Sequence, residues 1–128
     1  MAAQIDETTL AHFTGTERYF RHWTSAIIYT DGIEYLNANG AGWLVDAIAS
    51  HQHNEKVRNE PFQLWELKVN KGKRKAVLTC KSDSDQPAIV KQLIEYTNFP
   101  LESIQIYVEL GSIDGVKEEF IAMLPSER

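Results

Sequence analysis

The chain has only one cysteine, four prolines and seven glycines among its 128 residues. The single cysteine, Cys80, cannot form an internal disulfide, which excludes a small secreted domain stabilised by disulfides. The prolines and glycines are scattered, so neither a linker nor a low-complexity segment is predicted. We therefore expect one domain over residues 1–128.

Long hydrophobic runs and an N-terminal leader are also missing. The longest apolar stretches are a few residues, whereas a membrane-spanning helix needs roughly 20. Residues 1–7 contain neither a basic segment nor an apolar core of the kind found in signal peptides. The sequence thus predicts a cytoplasmic protein with no membrane partner.

Basic residues are in the minority, with 13 Lys and Arg against 18 Asp and Glu, for a net charge of −5. This balance disfavours a protein that binds nucleic acid over a broad surface, because such proteins usually carry a positive net charge. The 43% hydrophobic and 24% charged composition is typical of a globular domain.

The glycine and histidine residues of the chain do not have the spacing of cofactor-binding or metal-binding motifs. Gly40-Ala41-Gly42 lacks the third glycine of a dinucleotide-binding fingerprint, and Gly72-Lys73 lacks the upstream glycine of a phosphate-binding loop. His51 and His53 lie two residues apart, but on a helix their side chains would point about 200° apart. The sequence therefore predicts neither a cofactor nor a metal site.

Hydrophobic periodicity predicts an α+β fold, in which an N-terminal helical region is followed by a ββ-α-ββ arrangement whose antiparallel sheet is packed by helices. Helices are expected at 6–13, at 32–38 and 41–52 with a break at Asn39-Gly40, and at 86–97. Asp31 and Glu34 have the spacing of a capping box for the second helix.

Strands are expected where apolar residues alternate or β-branched residues cluster, at 26–30, 62–69, 75–81 and 104–110. The turn Asn70-Lys71-Gly72-Lys73 would join the second and third of these, with Gly72 free to adopt positive φ. Residues 118–124 fit either a strand or a short helix, and the alternation of Phe120, Ala122 and Leu124 favours the strand.

Several segments in this order and spacing resemble a family of small uncharacterised bacterial proteins, also found on plasmids and phages, that is classed as a domain of unknown function. The segments are Phe13-Thr14-Gly15-Thr16-Glu17, Arg21-His22, Tyr29-Thr30-Asp31-Gly32, Tyr35-Leu36, Trp43-Leu44 with Asp46 and Ile48, Phe99-Pro100-Leu101 and Leu124-Pro125-Ser126-Glu127. The resemblance implies a bacterial or mobile-element accessory protein and supplies no activity.

One segment, Tyr19 to Trp23, concentrates aromatic, cationic and titratable groups. His22 is of the type that acts as a general base near neutral pH, with Asp31 or Glu17 as its orienting carboxylate. A small hydrolase or nuclease would then use His22, Arg21, Tyr19 and Asp31 in one cleft. The alternative is structural, with the aromatic residues in the core and His22 hydrogen-bonded locally.

Charge is unevenly distributed along the chain. Residues 55–81 contain 8 basic and 3 acidic residues, net +5, whereas residues 1–54 have a net charge of −4 and residues 82–128 of −6. Lys71, Lys73, Arg74 and Lys75 lie at the tip of the predicted hairpin. They would bind an acidic protein surface, a second copy of the chain or phosphates, or they would only keep an edge hairpin soluble.

Together these observations favour a protein that acts by binding, without catalysis, to a protein partner or to itself as a homodimer. Catalysis is disfavoured because no catalytic constellation passes the spacing tests. The hydrolase or nuclease and a nucleic-acid-associated protein that uses residues 71–75 stay as alternatives.

Overall fold

The computed structural model describes residues 5–128 and contains one seven-stranded sheet in the order β1-β2-β7-β6-β3-β4-β5. The strands are β1 Phe20–Arg21, β2 Ile28–Tyr29, β3 Phe62–Asn70, β4 Lys75–Lys81, β5 Ala88–Ile94, β6 Ser103–Gly111 and β7 Glu119–Met123. The helices are α1 Glu7–Ala11, α2 Asp31–Leu36, α3 Gly42–His51 and α4 Glu55–Arg58, and Pro125–Glu127 forms a 3₁₀ turn.

The sheet is mostly antiparallel, which places the protein in the α+β class. The exception is β2, which runs parallel to β7 and pairs Ile28 with Ile121 and Tyr29 with Ala122. This pairing joins the N-terminal part of the chain to its C-terminal strand.

The predicted order, a helical region followed by ββ-α-ββ, is wrong in two places. Strand β1, which was not expected, lies in the N-terminal region beside β2, which falls within the expected strand 26–30. Residues 88–94 of the predicted helix 86–97 form strand β5. In β5, Val90 pairs with Cys80 and Ile94 with Ala76. The spacing of the apolar residues also fits a helix, but β4 offers unpaired backbone groups, and the β-branched residues suit a strand that covers them.

The other predicted strands are confirmed with small shifts of their ends. β3 and β4 form the antiparallel hairpin expected from their alternation, and Trp65 lies opposite Cys80. The segment 118–124 contains strand β7, not a short helix. In the hairpin turn, however, Arg74 adopts the positive φ, at 56°, and Gly72 does not.

The predicted helix break is confirmed, because Asn39 and Gly40 leave helical geometry between α2 and α3, and Gly40 has φ 96°. The capping-box prediction is wrong. Thr30 is the residue that precedes α2, and Asp31 is the first helical residue, which accepts no hydrogen bond from Glu34. The Asp31 side chain instead bonds the preceding loop.

The main core lies between one face of the sheet and the helices α2 and α3. From the sheet, Trp65, Leu67 and Leu78 are fully buried, and Leu44 and Ile48 of α3 are buried in the same cluster. On the opposite face the buried residues are few, among them Ile28, Ile121 and Met123 beside Tyr107, and Leu64, which pairs with Tyr107. That face is therefore largely open to solvent.

A buried amide pair connects α3 to the sheet. The Gln63 amide nitrogen donates to the Gln52 side chain at 3.0 Å and to the Val57 carbonyl at 3.0 Å, and Gln52 donates back at 2.8 Å. The Trp65 indole donates to the same Gln63 oxygen at 2.9 Å. Because these polar groups are mutually satisfied, their burial does not carry the full desolvation penalty.

The Glu127 carboxylate connects the C-terminal 3₁₀ turn to the start of α2. It accepts hydrogen bonds from the Thr30 hydroxyl at 2.6 Å, the Gly32 amide at 3.0 Å and the Leu124 amide at 3.0 Å. Two of these donors belong to the start of α2, where a negative charge is favoured. Gly32 leaves no space for a side chain, since an added Cβ would lie 2.5 Å from a Glu127 oxygen.

We expect Gly32→Ala to lower the free energy of unfolding by about 1–3 kcal/mol, because the new methyl group displaces the Glu127 carboxylate from its donors. The measurement is urea denaturation followed by tryptophan fluorescence. Gly15→Ala is the control, because a Cβ at Gly15 meets nothing within 4 Å. Equal stability of the two variants would contradict this role of Glu127.

Candidate functional site

The basic tip, which we define as Lys71, Lys73, Arg74 and Lys75, lies where β3 turns into β4. The turn is held by the Asn70 side chain, which accepts from the Lys73 amide at 3.1 Å. All four basic residues are exposed. In the described residues 5–128, none of the four side chains has an ion-pair partner.

A groove of about 460 Å³ lies against the basic tip. Lys71 and Arg74 line one wall, and the segment 96–100 that follows β5 lines the other. The Arg74 carbonyl accepts from the Thr97 amide at 2.8 Å, which holds the two walls together. Tyr96 in this segment is 64% exposed, so the groove combines positive charge with an accessible aromatic ring.

Arg74 occupies the left-handed region, with φ 56°. For a residue with a Cβ this conformation costs about 1 kcal/mol, which a glycine would avoid. Strained backbone positions of this kind are often found at functional sites.

The residues of the predicted catalytic cluster do not come together. Arg21 forms a bidentate pair with Glu119, with nitrogen–oxygen distances of 2.6 and 3.1 Å. This pairing raises the pKa of Arg21 and lowers that of Glu119, chiefly through the side-chain hydrogen bond. Tyr19 is 44% exposed.

Asp31 lies with the loop before β1 and not with His22. Its carboxylate accepts from the Glu17 amide at 3.0 Å and lies 3.6 Å from the Arg18 guanidinium. The Glu17 hydrogen bond is the main reason why the pKa of Asp31 is lowered. The predicted pairing of His22 with Asp31 is therefore wrong, because a backbone amide and an arginine already hold this carboxylate.

The carboxylate beside His22 is Asp46 of α3, which sequence reasoning did not pair with it. The His22 Nε2 atom lies 2.7 Å from Asp46, and its Nδ1 atom lies 2.8 Å from the Thr24 hydroxyl. The Thr24 amide also donates to Nδ1 at 3.2 Å, so Nδ1 carries the lone pair and Nε2 the proton. Asp46 was placed on the predicted helix 41–52 and among the segments of the family resemblance, but neither signal linked it to His22.

A hydroxyl, an imidazole and a carboxylate in a row is the arrangement used in nucleophilic catalysis. Here, however, the His22 residue is only 3% exposed, and Thr24 accepts from the Ala26 amide within the same turn. Ser25 completes this tight turn with φ 65°. Trp23, which is 79% exposed, also donates its indole N–H to Asp46 at 3.1 Å. The arrangement thus joins the β1–β2 turn to α3.

The remaining histidines and the cysteine are held apart. His51 lies 2.7 Å from the Gln92 side chain and stacks on Trp65, whereas His12 and His53 are exposed. Among residues 5–128 no group of three His, Cys, Asp or Glu side chains is placed to hold a metal. Burial raises the pKa of the Cys80 thiol to about 12.

These observations define the protein as an α+β protein built on a mostly antiparallel seven-stranded sheet, with an unpaired basic hairpin tip. The chain belongs to DUF6876, a family of unknown function, whose family model matches residues 4–128. Comparison with curated proteins and with solved structures finds no match. No helix in the described part of the chain is long and apolar enough to cross a bilayer.

Replacing Asp46 by Ala should lower the free energy of unfolding by about 1–3 kcal/mol, because the buried His22 N–H loses its acceptor. Asp46→Asn keeps an acceptor oxygen and should cost less. Thermal unfolding of both variants tests this, with Glu118→Ala on an exposed loop as the control. A loss of stability in the control as large as in Asp46→Ala would argue against the His22 contact.

The Cys80 thiol should resist alkylation in the folded protein, since only the thiolate reacts and burial disfavours it. Folding raises this pKa from 9.0 to about 12, so the stabilising effect is present below pH 9.0 and is lost as the pH rises towards 12. Mass spectrometry after iodoacetamide treatment, with and without urea, measures the reaction. Rapid modification without urea would contradict this burial.

Proposed function

We propose that the protein acts by binding, without catalysis, and that the basic tip and its groove receive an acidic segment of a protein partner. The observation that carries the proposal is that four exposed cations at one turn have no carboxylate within ion-pair distance in the described residues. Binding through these cations breaks no internal ion pair, so the cost is limited to desolvation and to ordering of the side chains.

Of the other four arginines, Arg58 is exposed and has no carboxylate partner in the described residues, whereas the remaining three are paired. Arg18, Arg21 and Arg128 each lie beside a carboxylate, at nitrogen–oxygen distances of 3.6, 2.6 and 3.0 Å. Arg128 also lies over the rings of Phe62 and Tyr107. Arg74 has no such contact, although its planar guanidinium is suited to bidentate binding of a carboxylate. This contrast supports a ligand from outside the chain.

A protein partner is favoured over nucleic acid by the surroundings of the basic tip. Val69, Phe99 and Pro100 line the groove beside the basic residues and contribute apolar atoms to it. Such a mixture is typical of protein interfaces, where aromatic residues and arginine are enriched. The whole chain carries a net charge of −5, which repels an extended polyanion beyond the tip.

Nucleic acid is the second candidate, and the exposed ring of Tyr96 is the observation in its favour. Single-stranded nucleic acid is bound by basic grooves in which bases stack on aromatic side chains. Lys71 and Arg74 line the same groove as Tyr96.

The hydrolase or nuclease alternative is not favoured. It needs His22 beside a carboxylate in a solvent-open site, whereas the residue is 3% exposed and bonded on both ring nitrogens. We further propose a cytoplasmic accessory role in bacteria or their mobile elements, in keeping with the sequence resemblance and with the free thiol of Cys80.

The test compares two variants that each lose three positive charges. One carries Lys71→Gln, Lys73→Gln and Arg74→Gln, and the other carries Lys56→Gln, Arg58→Gln and Lys117→Gln at exposed positions elsewhere. Fluorescence anisotropy measures binding of a labelled peptide of glutamate, aspartate and leucine and of a labelled single-stranded DNA, at low and at physiological salt.

The peptide should bind the wild type and the second variant, and its affinity should fall at least about tenfold in the first variant. Tighter binding of the DNA, lost in the first variant alone, would replace the protein partner by nucleic acid. Binding of neither probe at low salt, or equal loss in both variants, would overturn the proposal.

A further inference from the structure

Trp23 is the most exposed aromatic side chain in the described part of the chain, at 79%. The turn that carries it is tight, because the His22 amide donates to the Ile27 carbonyl at 3.0 Å and the Ser25 amide to the His22 carbonyl at 2.8 Å. The buried His22 side chain also ties this turn to Asp46 of α3, at 2.7 Å. The backbone of Trp23 is therefore held in place, although its ring lies in solvent.

The indole ring is itself held in one orientation. Its N–H donates to the Asp46 Oδ1 atom at 3.1 Å, and its centroid lies 5.4 Å from that of the His22 ring. A ligand that binds an already ordered side chain pays less conformational entropy for the contact. Tryptophan is also enriched among the residues that dominate binding energy, so an exposed and ordered Trp23 is typical of a contact residue.

Asp46 offers a ligand its second carboxylate oxygen. The Asp46 side chain is 49% exposed, and the His22 and Trp23 side chains both bond to its Oδ1 atom. Within residues 5–128, the Oδ2 atom has no hydrogen-bond or ion-pair partner. A ligand that donates hydrogen bonds can therefore reach Oδ2 beside the indole ring without breaking a contact of the chain.

The surroundings of Trp23 are negative. Residues 1–54 contain 6 acidic and 2 basic residues, net −4, and both basic residues are already paired with carboxylates. Burial raises the pKa of Tyr29, and the charges of Glu34 and Asp46 raise it further. Negative charge thus acts on this part of the molecule, which favours a cationic ligand.

We propose that Trp23 and Asp46 bind the guanidinium group of an arginine side chain in a partner protein. The planar cation stacks on the exposed indole ring, and its N–H groups donate to the free Oδ2 atom of Asp46. Among aromatic side chains tryptophan gives the strongest cation–π attraction, and arginine is the cation most often found in such contacts. A guanidinium is suited to both contacts at once, because it is planar and carries five N–H donors.

Other ligands would use only part of this site. An ammonium group lacks the planar surface for stacking and is more strongly hydrated than a guanidinium. A sugar has hydroxyl donors but no charge, so it gains nothing from the negative surroundings. The ligand is also opposite in charge to the acidic segment proposed for the basic tip, and the two sites share no residue.

Titration of the full chain, followed through the indole N–H signals in NMR spectra, tests the proposal. The probe is arginine with an acetylated amino group and a methylamide at its carboxyl end, and citrulline blocked in the same way is its uncharged match. The arginine probe should shift the Trp23 signal with a dissociation constant of roughly 1–10 mM, whereas the buried Trp65 should not respond. The citrulline probe should bind at least about tenfold more weakly.

Two variants separate the ring from the carboxylate. Trp23→Leu, read from the backbone amide signals of residues 22–27, and Asp46→Asn, which keeps an acceptor for the indole, should each weaken binding at least about fivefold. The control Asp85→Asn loses the same charge in the exposed turn before β5, at the edge of the sheet opposite β1, and should bind as the wild type does. An unchanged signal of the buried Trp65 shows that each variant is folded.

No shift of the Trp23 signal by the arginine probe, equal binding of the citrulline probe, or equal loss in Asp46→Asn and Asp85→Asn would overturn the guanidinium site. A shift by methyl glucoside alone would replace it by a sugar site, and tighter binding of free arginine than of the blocked form would replace the partner protein by an amino acid. The variant with three glutamines in the basic tip should bind the arginine probe as the wild type does, so failure of one proposal leaves the other standing.

Discussion

The parallel pairing of β2 with β7 is the contact on which the arrangement of the chain depends. It is only two residues long in each strand, yet it joins the N-terminal segment to a sheet otherwise built from residues 62–123. So short a ladder contributes few hydrogen bonds. The Glu127 carboxylate nearby adds three more, and two of their donors lie at the start of α2. The backbone pairing and the carboxylate together place α2 and α3 over the sheet, where their apolar residues complete the core.

The folded arrangement also determines which charged side chains form ion pairs and which stay exposed. Most arginines of the described chain are used inside the structure, as Arg21 is by Glu119 and Arg128 by Glu109. The hairpin β3–β4 carries the basic tip, and within residues 5–128 no acidic side chain lies within ion-pair distance of it. A local positive surface thus exists on a chain whose net charge is −5. The basic tip therefore differs in charge from the rest of the surface, and specific contacts depend on such differences.

Sequence reasoning succeeded where structure is local. The β3–β4 hairpin follows from alternation and turn residues within about twenty consecutive positions, and the break at Asn39-Gly40 follows from the cost of glycine in a helix. It failed where distant segments decide. Residues 88–94 form a strand because β4 has a free edge for them, and the partner of His22 is Asp46, which lies 24 positions away on another element. Neither spacing nor composition encodes such a choice between carboxylates.

By itself the sequence determined the α+β class, the hairpin and the concentration of positive charge at residues 71–75, because each depends on residues close together in the chain. Only the tertiary structure decided which ionisable groups form contacts within the chain and which stay without an ion-pair partner. In the folded chain His22, Arg21 and Asp31 each bind a different partner, so they form no common site. The tertiary structure also left Arg74 unpaired and β5 at the edge of the sheet. The physical reason is that hydrogen bonds and ion pairs act over a few ångströms in space, whatever the separation along the chain.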